Sequence, residues 1–231
     1  MSYSYVGEEL DLFSRATNWK NYYRRFLKKY LGNTVLEVGA GIGATTLSLC
    51  DGSNERWVCL EPDSELSKQI DLLLKEGRLS PCCEVVNGTV NDVSGQFDSV
   101  IYIDVLEHIE DDSAELKLAA THLKPGGFLI VLSPAHQTLY TAFDRAIGHY
   151  RRYDKTALIG IGPALLQGVE FIYLDSVGAL ASLGNKFLLK SSMPTFQQIA
   201  FWDKVLIPLS RIIDPILHYK VGKTIIGVWQ R

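Results

Sequence analysis

Short runs dense in Val, Ile, Leu and aromatic residues alternate along the chain with stretches whose apolar positions recur every three or four residues. The first pattern marks strands and the second helices, so the alternation predicts a parallel sheet with crossover helices. The strand runs are 35–38, 57–60, 84–86, 99–103, 128–132, 170–174 and 224–229. One helix is predicted from Asp63 as its cap, through Leu66, Ile70, Leu73 and Leu74, to a stop at Gly77. A second starts at Asp111 or Asp112, carries Leu116, Ala119 and Leu123, and ends before Pro125-Gly126-Gly127.

Two segments stand outside this alternation. Residues 1–31 read as an N-terminal helical cap with Lys20, Arg24 and Lys28 on one face and Arg25 and Lys29 beside them. Phe13, Trp19, Tyr22, Tyr23 and Phe26 supply its apolar side. A solvated basic face is the expectation, with an anionic partner as the sharper alternative. Between the last two strands lie roughly 45 residues, where a connection of about 2–6 would suffice. Here Ile199, Trp202, Val205, Leu206, Leu209, Ile212, Ile213, Ile216 and Leu217 keep a helical period, and Pro208 and Pro215 should kink or divide the helix. This 179–220 insertion is expected to pack on the core. A dimer interface, a lid over an acceptor pocket, or a membrane-surface contact through 195–218 are the sharper readings.

Composition narrows the class. With 231 residues, 47% hydrophobic and 21% charged, the chain is neither disordered nor collagen-like, and one α/β domain over 1–231 is expected. A net charge of −3 argues against a general nucleic-acid binder. The opening MSYSYVGEELDLF shows no secretory pattern, and the longest charge-free stretch, 125–143, is broken by Pro134, His136 and Gln137. Neither is read as a membrane span. Four cysteines without CxxC spacing suggest reduced thiols and a cytoplasmic setting, with no metal constellation.

The chemistry concentrates in Val35-Leu36-Glu37-Val38-Gly39-Ala40-Gly41-Ile42-Gly43, a buried strand entering a glycine turn that leads into a helix. Glycines at alternate positions let backbone lie against a ligand. Glu37 would repel a pyrophosphate but not a cationic ligand. Glu61, at the end of the next strand, is placed to accept both ribose hydroxyls of an adenosine, a need shared by NAD and S-adenosylmethionine. Asn87-Gly88-Thr89-Val90 follows the third strand, where an adenine would be edged. Then come Phe97-Asp98-Ser99-Val100-Ile101-Tyr102-Ile103-Asp104-Val105-Leu106-Glu107-His108-Ile109 and Leu123-Lys124-Pro125-Gly126-Gly127-Phe128. Glu107 and His108 either organise the turn after the fourth strand or take part in chemistry. No short-chain dehydrogenase pair and no hydrolase nucleophile elbow is present.

Over about residues 35–135 this ordered set resembles the class I S-adenosylmethionine-dependent methyltransferases. The resemblance implies a three-layer αβα Rossmann-like sandwich with a seven-stranded, mostly parallel sheet in order 3-2-1-4-5-7-6, the last strand antiparallel. It implies S-adenosylmethionine as cofactor, with Glu37, Gly39 and Gly41 lining the methionine moiety beside Ala40 and Gly43. Glu61 and Pro62 would hold ribose, Gly88, Thr89 and Val90 the adenine, and Asp104 with Val105 the sulfonium end. The family often has an acidic residue at the adenine; here Thr89 stands at about that place.

After the fifth strand, Gly148-His149-Tyr150-Arg151-Arg152-Tyr153 falls close to the expected methyl group. His149 is a candidate general base, Arg151 and Arg152 candidate anion anchors, and Tyr153 completes the catalytic set. Equally open is a structural role, capping the next helix and pairing with Asp144 and Asp154. GHYRRY, with GEELDLFSRATNWKNY before the first strand, resembles a bacterial methyltransferase subgroup associated with cell-surface glycan or lipid biosynthesis. That implies a glycan- or lipid-linked acceptor beside the small-molecule option, and the clustering around His149 as a base points to O-methylation. The alternatives are a non-catalytic cofactor-binding scaffold subunit, an NAD(P)-dependent oxidoreductase, and an RNA methyltransferase.

Overall fold

Seven strands form one sheet in the computed structural model, which describes residues 5, 7, 9–188 and 194–231. They are β1 (Thr34–Val38), β2 (Arg56–Glu61), β3 (Cys83–Asn87), β4 (Phe97–Ile103), β5 (Leu123–Pro134), β6 (Gln167–Leu174) and β7 (Thr224–Gln230). Their spatial order is 3-2-1-4-5-7-6, and β7 runs antiparallel to both β5 and β6. This is the expected Rossmann-like arrangement. The helices are α1 (Leu10–Ser14), α2 (Thr17–Leu27), α3 (Ala44–Leu49), α4 (Ser64–Lys75), α5 (Asp112–Thr121), α6 (Ala142–Ala146), α7 (Lys155–Gly160), α8 (Ser176–Leu188), α9 (Phe196–Phe201) and α10 (Ile207–Ile216). The parts of the expected N-terminal cap and insertion that fall at 1–4, 6, 8 and 189–193 lie outside the described residues.

Consecutive strand residues point to opposite sides, so each strand feeds two cores. Val35, Trp57, Ile101 and Ile130 face the side covered by α2, α4 and α10. Leu36, Val58, Val100 and Leu129 face α5 and α7. Burial on both faces is why these strands read as continuous apolar runs. The cap at Asp63 forms as expected: its Oδ1 accepts from Glu65 N–H at 2.8 Å and Leu66 N–H at 3.1 Å.

Three local expectations are corrected. The helix begun at Asp112 ends at Thr121, because Leu123 pairs with Phe97 and opens β5. The N-terminal segment breaks into α1 and α2. Lys20 turns inward there, and its Nζ donates to the carbonyls of Phe13 at 2.6 Å and Ser14 at 3.2 Å. Arg24 and Lys28 both pair with Asp51, and Lys29 with Glu170, but Arg25, Lys28 and Lys29 stay exposed, so apart from Lys20 the row is the solvated face expected. Finally, Pro208 does not divide the inserted helix. A π turn over Trp202–Leu206 joins α9 to α10 and places Pro208 in the first turn of α10, where its missing N–H costs least.

Buried aspartates tether this insertion. Asp203 accepts from Trp19 N–H at 2.8 Å, and Asp214 from the Tyr22 hydroxyl at 2.8 Å and Asp175 N–H at 2.7 Å. Asp175 accepts from Trp202 Nε1 and Ser210 Oγ, both at 2.7 Å. Each bond joins the insertion to α2 or to the end of β6, which fixes its inner face over the strand ends.

Candidate active site

Beyond Val38 the chain turns sharply because Gly39 and Gly41 adopt φ of 68° and 58°. A Cβ on Gly39 would also fall 2.6 Å from Val105 Cγ2, so only glycine fits there. Gly39 and Ala40 donate their N–H groups to the Leu60 carbonyl at 2.8 and 3.0 Å. Gly41 N–H donates to Glu61 Oε2 at 2.8 Å, which fastens the turn to the end of β2.

The turn forms one wall of a cavity of about 860 Å³ at the carboxyl ends of the strands. Of the candidate site residues, Gly39, Ala40, Gly41, Asp104, His149 and Arg152 line it together. Lys20, Glu107, His108, Asp144 and Lys223 also line it. The far wall comes from α8, α9 and the π turn, including Ile199, Phe201 and Leu206.

Other predicted residues stand off this cavity. Glu37 is buried behind the turn, where its Oε2 accepts from Thr46 Oγ1 and Trp57 Nε1, both at 2.7 Å. Burial, with a smaller push from Glu61, raises its carboxyl to about 7 against the two hydrogen bonds. Gly43 caps α3, and Val105 packs under Gly39. Glu61 Oε1 accepts from Asp63 N–H at 2.9 Å. Pro62, Gly88, Thr89 and Val90 lie along the ends of β2 and β3, away from the cavity lining. Thr89 caps a short turn by donating its N–H and hydroxyl to Asp92.

The two arginines part company. Arg152 reaches the cavity, but its Nε and Nη2 both donate to Asp144, at 2.7 and 2.9 Å. Arg151 turns outward, donating to Asp112 Oδ2 at 2.5 Å and to the Glu110 carbonyl at 2.7 Å. Tyr153 is buried with its hydroxyl on the same Asp112 oxygen at 2.8 Å. Arg151 and Tyr153 therefore anchor the start of α5, because Asp112 needs partners once buried. They neither cap the next helix nor pair with Asp154, and of the two arginines only Arg152 takes the expected Asp144.

At the cavity centre is a chain of buried ionisable groups. His149 Nδ1 lies 3.0 Å from Asp144 Oδ1, and its Nε2 is 3.8 Å from Glu107 Oε1. Glu107 Oε2 accepts from Ser133 Oγ at 2.9 Å, while Oε1 is buried and takes no hydrogen bond. Burial and the charge of Asp104 raise the Glu107 carboxyl, with His149 opposing. Burial also raises Asp104, against the pull of His149, Lys20 and Lys223. For His149 burial works downward, but the Asp144 hydrogen bond and the surrounding carboxylates prevail and raise it. His108, edge-on to His149 with ring centroids 4.5 Å apart, is lowered to about 3 by burial and by His149, and so stays neutral. Asp144 is held low by His149 and Arg152 despite its burial.

Among the described residues, two groups bring metal-type ligand atoms within 4.8 Å of one another: Glu107 with His108 and His149, and Cys50 with Cys82 and Cys83. Sequence spacing showed neither. Asp144 carried a local signal, the Thr141–Asp144 capping box at the start of α6. Lys20 and Lys223 carried none, since only packing turns them inward.

Residues 36–129 match a family model described as a methyltransferase domain. The chain is 27% identical over 191 residues to a trans-aconitate 2-methyltransferase of Deinococcus radiodurans, a match covering 77% of this chain and 71% of the relative. It is 29% identical over 162 residues to a ubiquinone biosynthesis O-methyltransferase of Xanthomonas oryzae pv. oryzae, covering 64% of this chain and 66% of the relative, just under two thirds. A coclaurine N-methyltransferase, solved with N-methylheliamine and SAH, superposes with a TM-score of 0.63 at 14% identity, over 94% of this chain and 72% of the other. That last likeness is one of fold. Domain and relatives together make the enzyme class that of an S-adenosylmethionine-dependent methyltransferase.

Proposed function

We propose that this chain moves the methyl group of S-adenosylmethionine to a hydroxyl oxygen of an acceptor with an apolar body, a small molecule or a glycan- or lipid-linked one. One observation carries the reading: the glycine turn and the buried Glu107–His149–Asp144 chain open onto the same cavity. In this proposal Gly39, Ala40 and Gly41 would hold the methionine end of the cofactor, and Asp104 would offer a negative charge to its sulfonium. Glu61 keeps lone pairs for ribose beyond the two N–H groups it holds, since a carboxylate has about four acceptor sites. Pro62, Gly88, Thr89 and Val90 would edge the nucleoside. Glu37 supports the turn from behind through Thr46 and Trp57 instead of touching the methionine.

Methyl transfer is an in-line displacement at a carbon already activated by the sulfonium, so orientation and exclusion of water carry most of the load. The hydroxyl oxygen forms a bond to the methyl carbon as the carbon–sulfur bond breaks and S-adenosylhomocysteine leaves. The hydroxyl proton passes to the Glu107–His149 pair, which Asp144 holds in place. With both members raised, the pair gains its basic form as pH rises through and above neutrality. Phe13, Phe143, Phe201 and Leu206 give the remaining cavity an apolar wall, which favours an acceptor body of the same character. Among the described residues no helix is long and apolar enough to cross a membrane.

A calorimetric titration with S-adenosylhomocysteine, with NADH as control, tests the reading. Saturable binding of the first alone is expected, followed by label transfer from S-adenosylmethionine across an acceptor panel. Binding of NADH instead would overturn it.

A further inference from the structure

Helix surfaces that face water are ordinarily polar. The helix formed by α9, the π turn and α10 breaks this rule on its outer side. Its inner face buries Ile199, Trp202 and Ile207, yet Phe201, Val205, Leu209, Ile212 and Ile216 recur at three- and four-residue spacing on the outside. Ile212 is 65% exposed and Ile216 70%, and Leu180 of α8 extends the surface at 68%. Burial of the inner face leaves this outer stripe with nothing of the described chain over it.

The charges on this segment are one-sided. Its only acids between 196 and 221 are Asp203 and Asp214, and both are buried with their oxygens turned inward. The charged residues left exposed are Lys204, Arg211 and Lys220, all basic, on a chain whose net charge is −3. Lys204 and Arg211 are seven residues apart, which sets them on one border of the apolar stripe. Long basic side chains beside an apolar helical face suit an interface of hydrocarbon below and anionic headgroups above. The same arrangement is unfavourable for burial against an ordinary protein surface, where the three cations would need acidic partners.

The stripe also adjoins the cavity. Phe201 lines the cavity and is 56% exposed, so it stands where the two meet. We propose that the outer face of α9–α10 docks on an anionic lipid bilayer and sets the cavity mouth against it, so that a lipid-linked acceptor enters from the membrane. The docking deepens the methyltransferase reading and takes its substrate class from it.

The test is flotation of the full chain with two sets of vesicles, one of phosphatidylcholine alone and one of equal parts phosphatidylcholine and phosphatidylglycerol. The chain is expected to float with the phosphatidylglycerol vesicles and to detach as salt rises. Ile212→Glu and Ile216→Glu should each lower partitioning about tenfold or more. Lys204→Glu and Arg211→Glu should each lower it about fivefold. These side chains are exposed, so thermal melting and S-adenosylhomocysteine affinity should not change. Absence of flotation with either vesicle, or equal flotation with both, overturns the proposal. So does a solution dimer that Ile212→Glu converts to a monomer, since a second copy would then own the face. S-adenosylhomocysteine binding without flotation leaves the methyltransferase reading standing and removes only the docking. Flotation without that binding does the reverse.

Discussion

The two sides of the cavity are built by different means. On the glycine-turn side, backbone does the work: left-handed glycines, N–H groups donated to the Leu60 carbonyl, and one carboxylate holding the turn. On the acceptor side, side chains from β4, β5, the loop around His149 and the insertion meet across long sequence distances. A backbone device needs particular residues at fixed spacing, whereas a side-chain device needs only that folding bring its members together. The first is tied to a cofactor that does not vary. The second is free to be rebuilt for a new acceptor.

The largest expected effect breaks the acceptor side alone. Glu107→Gln and His149→Ala should each lower turnover by about 10²–10⁴-fold, the usual contribution of a positioned base. S-adenosylhomocysteine affinity measured by calorimetry should be unchanged in both. Full turnover in His149→Ala would leave Glu107 as the sole base, and full turnover in both would remove the base from the mechanism. In the wild type the rate should climb as pH rises past neutrality, because both groups are held above their ordinary values. A rate that falls across that range would contradict the assignment.

The complementary variant breaks the turn side. Gly39→Ala forces a Cβ into Val105 at a φ that side chains avoid, at a cost of about 2–3 kcal/mol. Cofactor affinity should fall on the order of 100-fold while the remaining bound fraction turns over normally. Val105→Ala added to it removes the clash but not the backbone strain, so partial recovery is expected. Complete recovery would show that packing, not φ, demands the glycine.

This contrast explains what could be read from the chain. The strands were legible because β1, β2, β4 and β5 are covered on both faces and therefore run apolar without interruption. The glycine turn was legible because its constraint is local. The arginine pair was not: Arg151 and Arg152 are neighbours in sequence, yet one serves Asp112 and the other Asp144. Nothing local distinguishes them, since the deciding partner of Arg151 lies on α5. Lys20 misled for the same reason. Its spacing fits a solvated face, but the break between α1 and α2 offers it two carbonyls, and burial lowers it to about 8. The π turn escaped because a proline's effect depends on whether the preceding turn can widen.

Glu37 sharpens the comparison on its backbone side. Folding raises its carboxyl from an ordinary 4.5 to about 7, so the folded chain holds a proton that the unfolded chain has released between those values. Wild-type stability should therefore lose a contribution as pH rises from about 4.5 to 7. In Glu37→Gln that loss is absent. The stability difference between variant and wild type should grow in the variant's favour across this window and level off above it, with a ceiling of about 3 kcal/mol. Urea unfolding at a series of pH values measures it. Parallel curves would show an ordinary carboxylate, free to meet the methionine end after all.

The smallest effect tests the reassigned arginine. Arg151→Ala removes a charged partner from Asp112 but leaves the Tyr153 hydroxyl on the same oxygen. A loss of about 1 kcal/mol in stability is expected, because the pair is partly solvated and Asp112 keeps one donor. The Michaelis constant for the acceptor should not move. Arg152→Ala makes the informative contrast, because Arg152 holds Asp144, and through it His149, at the cavity wall. It should lower turnover as well as stability. If Arg151→Ala instead raised the Michaelis constant tenfold at unchanged stability, Arg151 would be an anion anchor. The acceptor side would then extend beyond the cavity wall to the start of α5.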